Sequence, residues 1–152
     1  MQTLYQIVND LKAYLEPHFP TVRITNIQTV EQFLQEAGGI NPDKLPAALI
    51  VFDGFTGMGD FGIHEYRLTI VYLDRFRSGA DERVLSLFSG GAKILELISP
   101  DGTDLNGVFL VPTDCQSAAP AEQFAALAFG IAAKQGNCPS YLKQNKTRFT
   151  QK

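Results

Sequence analysis

The chain contains no tryptophan, only two cysteines and only two histidines in 152 residues. That shortage removes most metal chemistry. No Cys-x-x-Cys pair and no Cys/His cluster offers the ligand set of a zinc site. Cys115 and Cys138 could pair or remain thiols, and sequence does not choose between them. No run approaches the roughly 18 uninterrupted apolar residues of a membrane-spanning helix. The opening stretch, MQTLYQIVNDLKAYLEPHF, lacks the basic start and apolar centre of a secretion signal. It reads as a helix of a protein made in the cytoplasm. A strong basic excess is also missing: the net charge is −3, so nucleic acid is not an expected partner.

What is present is ordinary globular material. Hydrophobic residues make up 45% of the chain, and eleven Phe and five Tyr supply large core side chains. A chain this long buries roughly two thirds of its unfolded surface and needs no disulfide or metal to fold. It has the size of one domain, which we place at residues 1–134.

The charge is unevenly spread. From Lys134 onward the charged residues are Lys134, Lys143, Lys146, Arg148 and Lys152, with no Asp or Glu. That segment is therefore +5 and the remainder −8. Residues 135–152 lack apolar periodicity and read as a basic, flexible C-terminal tail. The tail is either a solvated terminus or an arm in which Lys143, Lys146 and Arg148 reach an acidic surface on a neighbouring subunit or partner.

Along the chain, Leu4, Ile7, Val8, Leu11 and Leu15 mark one face of a helix, with Thr3 placed to cap it and Pro17 and Pro20 to end it. TVRITNIQT (21–29) reads as a strand. Thr29 and Gln32 fit a capping box before a short helix over VEQFLQEA. AALIVFDG, introduced by Pro46, reads as a buried strand. In IHEYRLTIVYLDRF (63–76), Tyr66, Leu68, Ile70 and Tyr72 share one parity, which makes it the clearest strand. Val84, Leu87, Phe88, Gly91, Leu95 and Ile98 form a helical stripe that Pro100 stops. Gly90 and Gly91 in its middle imply a kink, close packing on the sheet, or two short helices. NGVFLVPTD (106–114) reads as another strand, and SPDGTDLNG before it as a turn. AEQFAALAFGIAAKQ is ambiguous. Its alanines favour a helix, but Leu127, Phe129 and Ile131 alternate with small residues, and we read a strand. The expected class is α+β: a mostly antiparallel sheet with helices packed on one face.

Few motifs carry chemistry. GMGDFG places Gly57, Gly59 and Gly62 in the G-x-G-x-x-G spacing of a dinucleotide-binding turn. That turn must lead into a helix N-terminus, whereas the segment after Gly62 alternates as a strand. A small-ligand or nucleotide-binding enzyme using the 57–62 loop is thus the alternative reading. The Asp60-Phe61-Gly62 triplet lacks every other kinase element. Asp101 and Asp104 lack the further ligands of a calcium loop. Cys115 and two scattered histidines make no nucleophile signature. No catalytic residue, cofactor or metal is expected. Phe55, Met58 and Phe61 are apolar on a glycine-rich connection between two strands; they either fold back on the core or anchor another subunit.

The succession KLPAALIVFDGF, YRLTIVYLDR, ILELISPDG, GVFLVPTD and FAALAFGIAAK resembles the small tail-assembly proteins of Mu-like phages and prophages. The strand introduced by Leu45-Pro46-Ala47 is the most characteristic piece, and the resemblance spans residues 1–134. It implies a fold like that of tail terminators and tail-completion proteins. It also implies assembly with itself into a ring, such as a hexamer, at the end of a tail tube or at the head–tail junction. The partners would be other tail or connector proteins, and the location the virion, after assembly in the bacterial cytoplasm. The glycine-rich insertion and the basic tail depart from that pattern. The candidate interface residues are Phe55, Met58, Phe61, Lys143, Lys146 and Arg148.

Overall fold

The computed structural model describes residues 3–27, 29–56, 65–75, 80–117 and 124–135. Its elements run α1 (Leu4–Leu15), β1 (Thr21–Thr25), α2 (Val30–Gly38), β2 (Ala47–Thr56), β3 (Glu65–Arg75), α3 (Ala80–Leu97), β4 (Thr103–Leu105), β5 (Val108–Ser117) and β6 (Phe124–Lys134). Both capping boxes form. Thr3 Oγ1 accepts from Gln6 N at 3.2 Å, and Thr29 Oγ1 accepts from Gln32 N at 3.1 Å. In each, the glutamine side chain accepts the cap residue's own N–H in return, so orphan amides at both helix starts are satisfied.

The six strands form one sheet in the order β1-β2-β3-β6-β5-β4. Every pairing is antiparallel except β1–β2, which is parallel. The α+β class with a mostly antiparallel sheet is therefore present. Residues 124–134 are strand, and at the centre of the sheet they pair with β3 from Glu65↔Lys134 to Arg75↔Phe124. Its large residues Leu127, Phe129 and Ile131 face the core beneath α1 and α3, while the small residues between them lie on the opposite face of the sheet.

The helices do not all lie on one face, which corrects the expectation. Even-numbered residues of β2 and β3 (Ala48, Ile50, Tyr66, Leu68, Ile70, Tyr72) pack with α1 and α3 through Ile7, Leu11, Leu15, Ile94 and Ile98. The odd-numbered set (Ala47, Leu49, Val51, Val71, Leu73) packs with Phe33 and Ala37 of α2 and with Ile40 just after it. The physical reason is the parallel β1–β2 pair. Parallel neighbours need a crossover, and α2 is that crossover, laid over the face that α1 and α3 leave open.

Two strand assignments also differ. β1 stops at Thr25 rather than 29. β4 is a strand where a plain turn was expected, joined to β5 through Asn106 (φ 53°) and Gly107 (φ 88°). Two positive φ values in a two-residue connection give the tight hairpin turn that Asn-Gly favours. α3 is one continuous helix across Gly90 and Gly91. Of the expected stripe, Gly91 and Ile98 are buried, but Phe88 and Leu95 are 67% and 38% exposed.

Candidate functional site

Beyond α2, no described element covers the odd-numbered face of the sheet, and a groove of about 470 Å³ lies there. Its floor is Ala128, Gly130 and Ala132 of β6, so small side chains create the concavity. One wall carries Asp53, Glu65, Arg67 and Thr69 from β2 and β3; the other carries Thr113, Asp114 and Gln116 from β5. A Cβ on Gly130 would overlap the Asp114 carboxylate and approach Thr113 Oγ1 to 2.7 Å. Glycine there leaves room for the Asp114 carboxylate and the Thr113 hydroxyl of the β5 wall to lie over the floor.

The wall groups are mostly partnered. Thr69 Oγ1 donates to Asp53. Thr113 Oγ1 and Gln116 Nε2 donate to the Asp114 carboxylate at 3.2 and 3.4 Å. Lys134 Nζ stands 3.9 Å from Glu65. Arg67 lies over the backbone at Gly54, where the β2–β3 register shifts and φ is +139°. Arg67 makes no ion pair among the described residues. The groove thus offers carboxylates, hydroxyls, an amide and one guanidinium, a set suited to binding polar groups.

Cys115 does not line it. The neighbouring Asp114 and Gln116 do, and alternation turns Cys115 to the other face of β5 opposite Phe129. It is a free, exposed thiol. Burial of its surroundings pushes its pKa up, and the Asp114 carboxylate adds to the rise. A raised thiol pKa is the reverse of what an activated nucleophile needs. His18 sits exposed in the single helical turn Glu16–His18. Among the described residues, no three His, Cys, Asp or Glu side chains are grouped to hold a metal ion, and no helix is long and apolar enough to cross a membrane.

Of the six candidate interface residues, the structure describes one. Phe55, near the end of β2, is 41% exposed and does not fold back into either core cluster. Met58, Phe61, Lys143, Lys146 and Arg148 lie outside the described residues, as do the glycines of the 57–62 loop and Cys138. Phe52, not among the candidates, joins Phe55 as a second exposed aromatic, 42% exposed, with its ring centroid 6.4 Å from that of Tyr66. Its position in an apolar run gave no signal of exposure. Two further features depended on topology. β4 pairs only with 108–110, so the outer edge of β5 from 111 to 117 has no strand partner among the described residues. Leu85, Phe88 and Leu95 form an exposed apolar stripe along α3.

No protein-family model matches the chain, and no curated protein matches its sequence.

Proposed function

We propose that this chain is a non-enzymatic structural protein of a phage or prophage virion, of the tail-terminator or head–tail connection type. It acts by assembling with copies of itself into a ring on a tail tube and by contacting other tail or connector proteins. It is assembled in the bacterial cytoplasm and carried in the virion. The observation that carries the reading is the distal end of β2, where Phe52 and Phe55 stay about two-fifths exposed. Aromatic side chains held on a strand are effective anchors for a partner surface. The outer edge of β5, without a strand partner among the described residues, supports the same reading, because an unpaired strand edge accepts main-chain hydrogen bonds from another chain.

The test is absolute mass by light scattering after size exclusion, over a range of protein concentration and with tail-tube protein added. A ring-sized species that the Phe52→Ser, Phe55→Ser double variant loses while staying folded is the expected result. A double variant that assembles like the parent would remove the hairpin end from the interface. A parent chain that stays monomeric even on tail tube would remove the ring reading.

A second reading rests on the groove, which lies where β2 and β3 lead into residues 57–64. A small polar ligand, a nucleotide among the candidates, would fit its donors and acceptors. In a thermal-shift screen, a ligand at 100 times its Kd adds about 2.7 kcal/mol of stability, and a blank against nucleotides and small acids would dismiss it.

A further inference from the structure

Helix α3 is apolar on two sides. Gly90, Gly91, Ile94 and Ile98 face the sheet. On the outside, Leu85 and Phe88 are 64% and 67% exposed, and Leu95 is 38% exposed. At 100° per residue these three fall on one arc of the helix, and the exposed Ala92 lies between them. Lys93 marks the flank next to α1, where its ammonium donates to His18 O and lies 5.0 Å from the centre of the Phe19 ring. Phe88 and Leu95 point away from that flank, toward the side of the sheet that carries β5. An exposed apolar stripe of this kind marks a contact surface.

Two observations say what covers it. The first is where the chain goes. β6 ends at Lys134, which is paired with Phe109, and Ala133 lies in one row with Leu110 and with Thr103 at the start of β4. Only five residues separate that Thr103 from the end of α3. The chain therefore leaves β6 beside the C-terminal end of α3, with Gln135 still buried. Seventeen more residues follow in the sequence, including Tyr141, Leu142 and Phe149. At about 3.3 Å per residue they reach far beyond the stripe's length, about 15 Å at the helical rise.

The second is charge. Segment 136–152 carries Lys143, Lys146, Arg148 and Lys152 and no acid. The C-terminal end of α3 carries no basic residue in its last turn. Around it stand exposed Glu96, Asp101 and Asp104, and the helix dipole adds partial negative charge there.

We infer that the outer face of α3 is the seat of this chain's own C-terminal segment. Tyr141, Leu142 and Phe149 supply apolar anchors for Leu85, Phe88 and Leu95. The lysines and Arg148 meet the acidic end of the helix. The chain's own segment takes precedence over a second copy because tethering presents it at an effective concentration on the order of millimolar. This inference is independent of ring formation and holds for the single subunit.

The test is zero-length carbodiimide coupling of the full chain, made as an equal mixture of isotope-labelled and unlabelled protein. Expected are links from Lys143, Lys146 or Lys152 to Glu96, Asp101 or Asp104, all within one isotope population. They fall about fivefold in Phe88→Ser, the loss that removing one aromatic anchor brings. They fall also near 1 M salt, where the Debye length is about 3 Å. Tyr141→Ser with Phe149→Ser gives the same loss without touching α3, which separates a lost seat from a damaged fold. Links between isotope populations would place the segment on a second copy and overturn the inference. So would links to Asp53 or Asp114 in the groove, no links at all, or links indifferent to these substitutions.

Discussion

Gly90 lies against the ring of Tyr72, so close that a Cβ at position 90 would overlap the ring carbons. Its neighbour Gly91 is less confined: a Cβ there would stand 3.3 Å from Leu127 Cδ1. The two glycines share a helix and a sheet face but not a reason. Gly90 is required by the buried Tyr72, while Gly91 faces the half-buried end of a rotatable side chain.

Gly90→Ala and Gly91→Ala should therefore separate. Alanine gains about 1 kcal/mol of helix propensity at either site. At Gly90 the overlap outweighs it, since overpacking costs about 1–3 kcal/mol, and a net loss of up to about 2 kcal/mol is expected in urea denaturation. Gly91→Ala should be neutral or mildly stabilising. Tyr72→Leu in the Gly90→Ala background should recover part of the loss. Equal effects at the two glycines would contradict the close approach.

Thr29→Ala removes the hydroxyl that accepts from Gln32 N in the α2 capping box, leaving the backbone N–H of residue 29 to donate to the Gln32 side chain, and should cost about 1 kcal/mol. Because α2 is the helix that closes the odd-numbered face, the loss should appear as faster amide exchange around Phe33 and Ala37. Thr3→Ala, in the matching box on α1, should leave those amides unchanged. Uniform acceleration in both variants would mean that the two faces open together.

Cys115 should alkylate slowly. Burial and Asp114 both disfavour the thiolate, so the pH midpoint of its reaction with iodoacetamide lies above the ordinary thiol range. In a Cys138→Ser background, Asp114→Asn should lower that midpoint part of the way, because burial is the larger cause. The linked stability has a definite sign. It is fully present below the pKa of the unfolded thiol and is lost as pH rises through the higher folded value. A midpoint at or below that of a free thiol would refute the assignment.

The parts of the fold that were legible in the sequence are those with one buried side. α1 shows a single stripe, Ile7, Val8, Leu11 and Leu15, and all four are buried. β3 shows Tyr66, Leu68, Ile70 and Tyr72 at one parity, and these face one cluster. The failures share the opposite property. β2 is apolar at both parities, so nothing in 47–51 says which side a helix covers. α3 is apolar on two sides, so its periodicity selects a mixed arc that includes the exposed Phe88 and Leu95. β4 has three residues, too few for a period, although the Asn106-Gly107 turn beside it was readable. The groove was invisible for a different reason. Its walls come from β2, β3 and β5, brought together across β6 by pairings distant in the chain.

That strand order has a kinetic consequence. β6 is the last of the six strands to be synthesised, yet it lies between β3 and β5. Until it docks, β3 presents an open edge eleven residues long, with Tyr66, Leu68, Ile70 and Tyr72 along one side. Unpaired apolar edges recruit other chains. The first three strands can associate early, but the sheet cannot close until a contact between residues 65 and 134 is made. Pairings so distant in the chain are slow to form. The hazard window of this protein thus lasts until β6 has been made and has docked, and substitutions that slow β6 docking should appear first as insoluble product, before any loss of equilibrium stability.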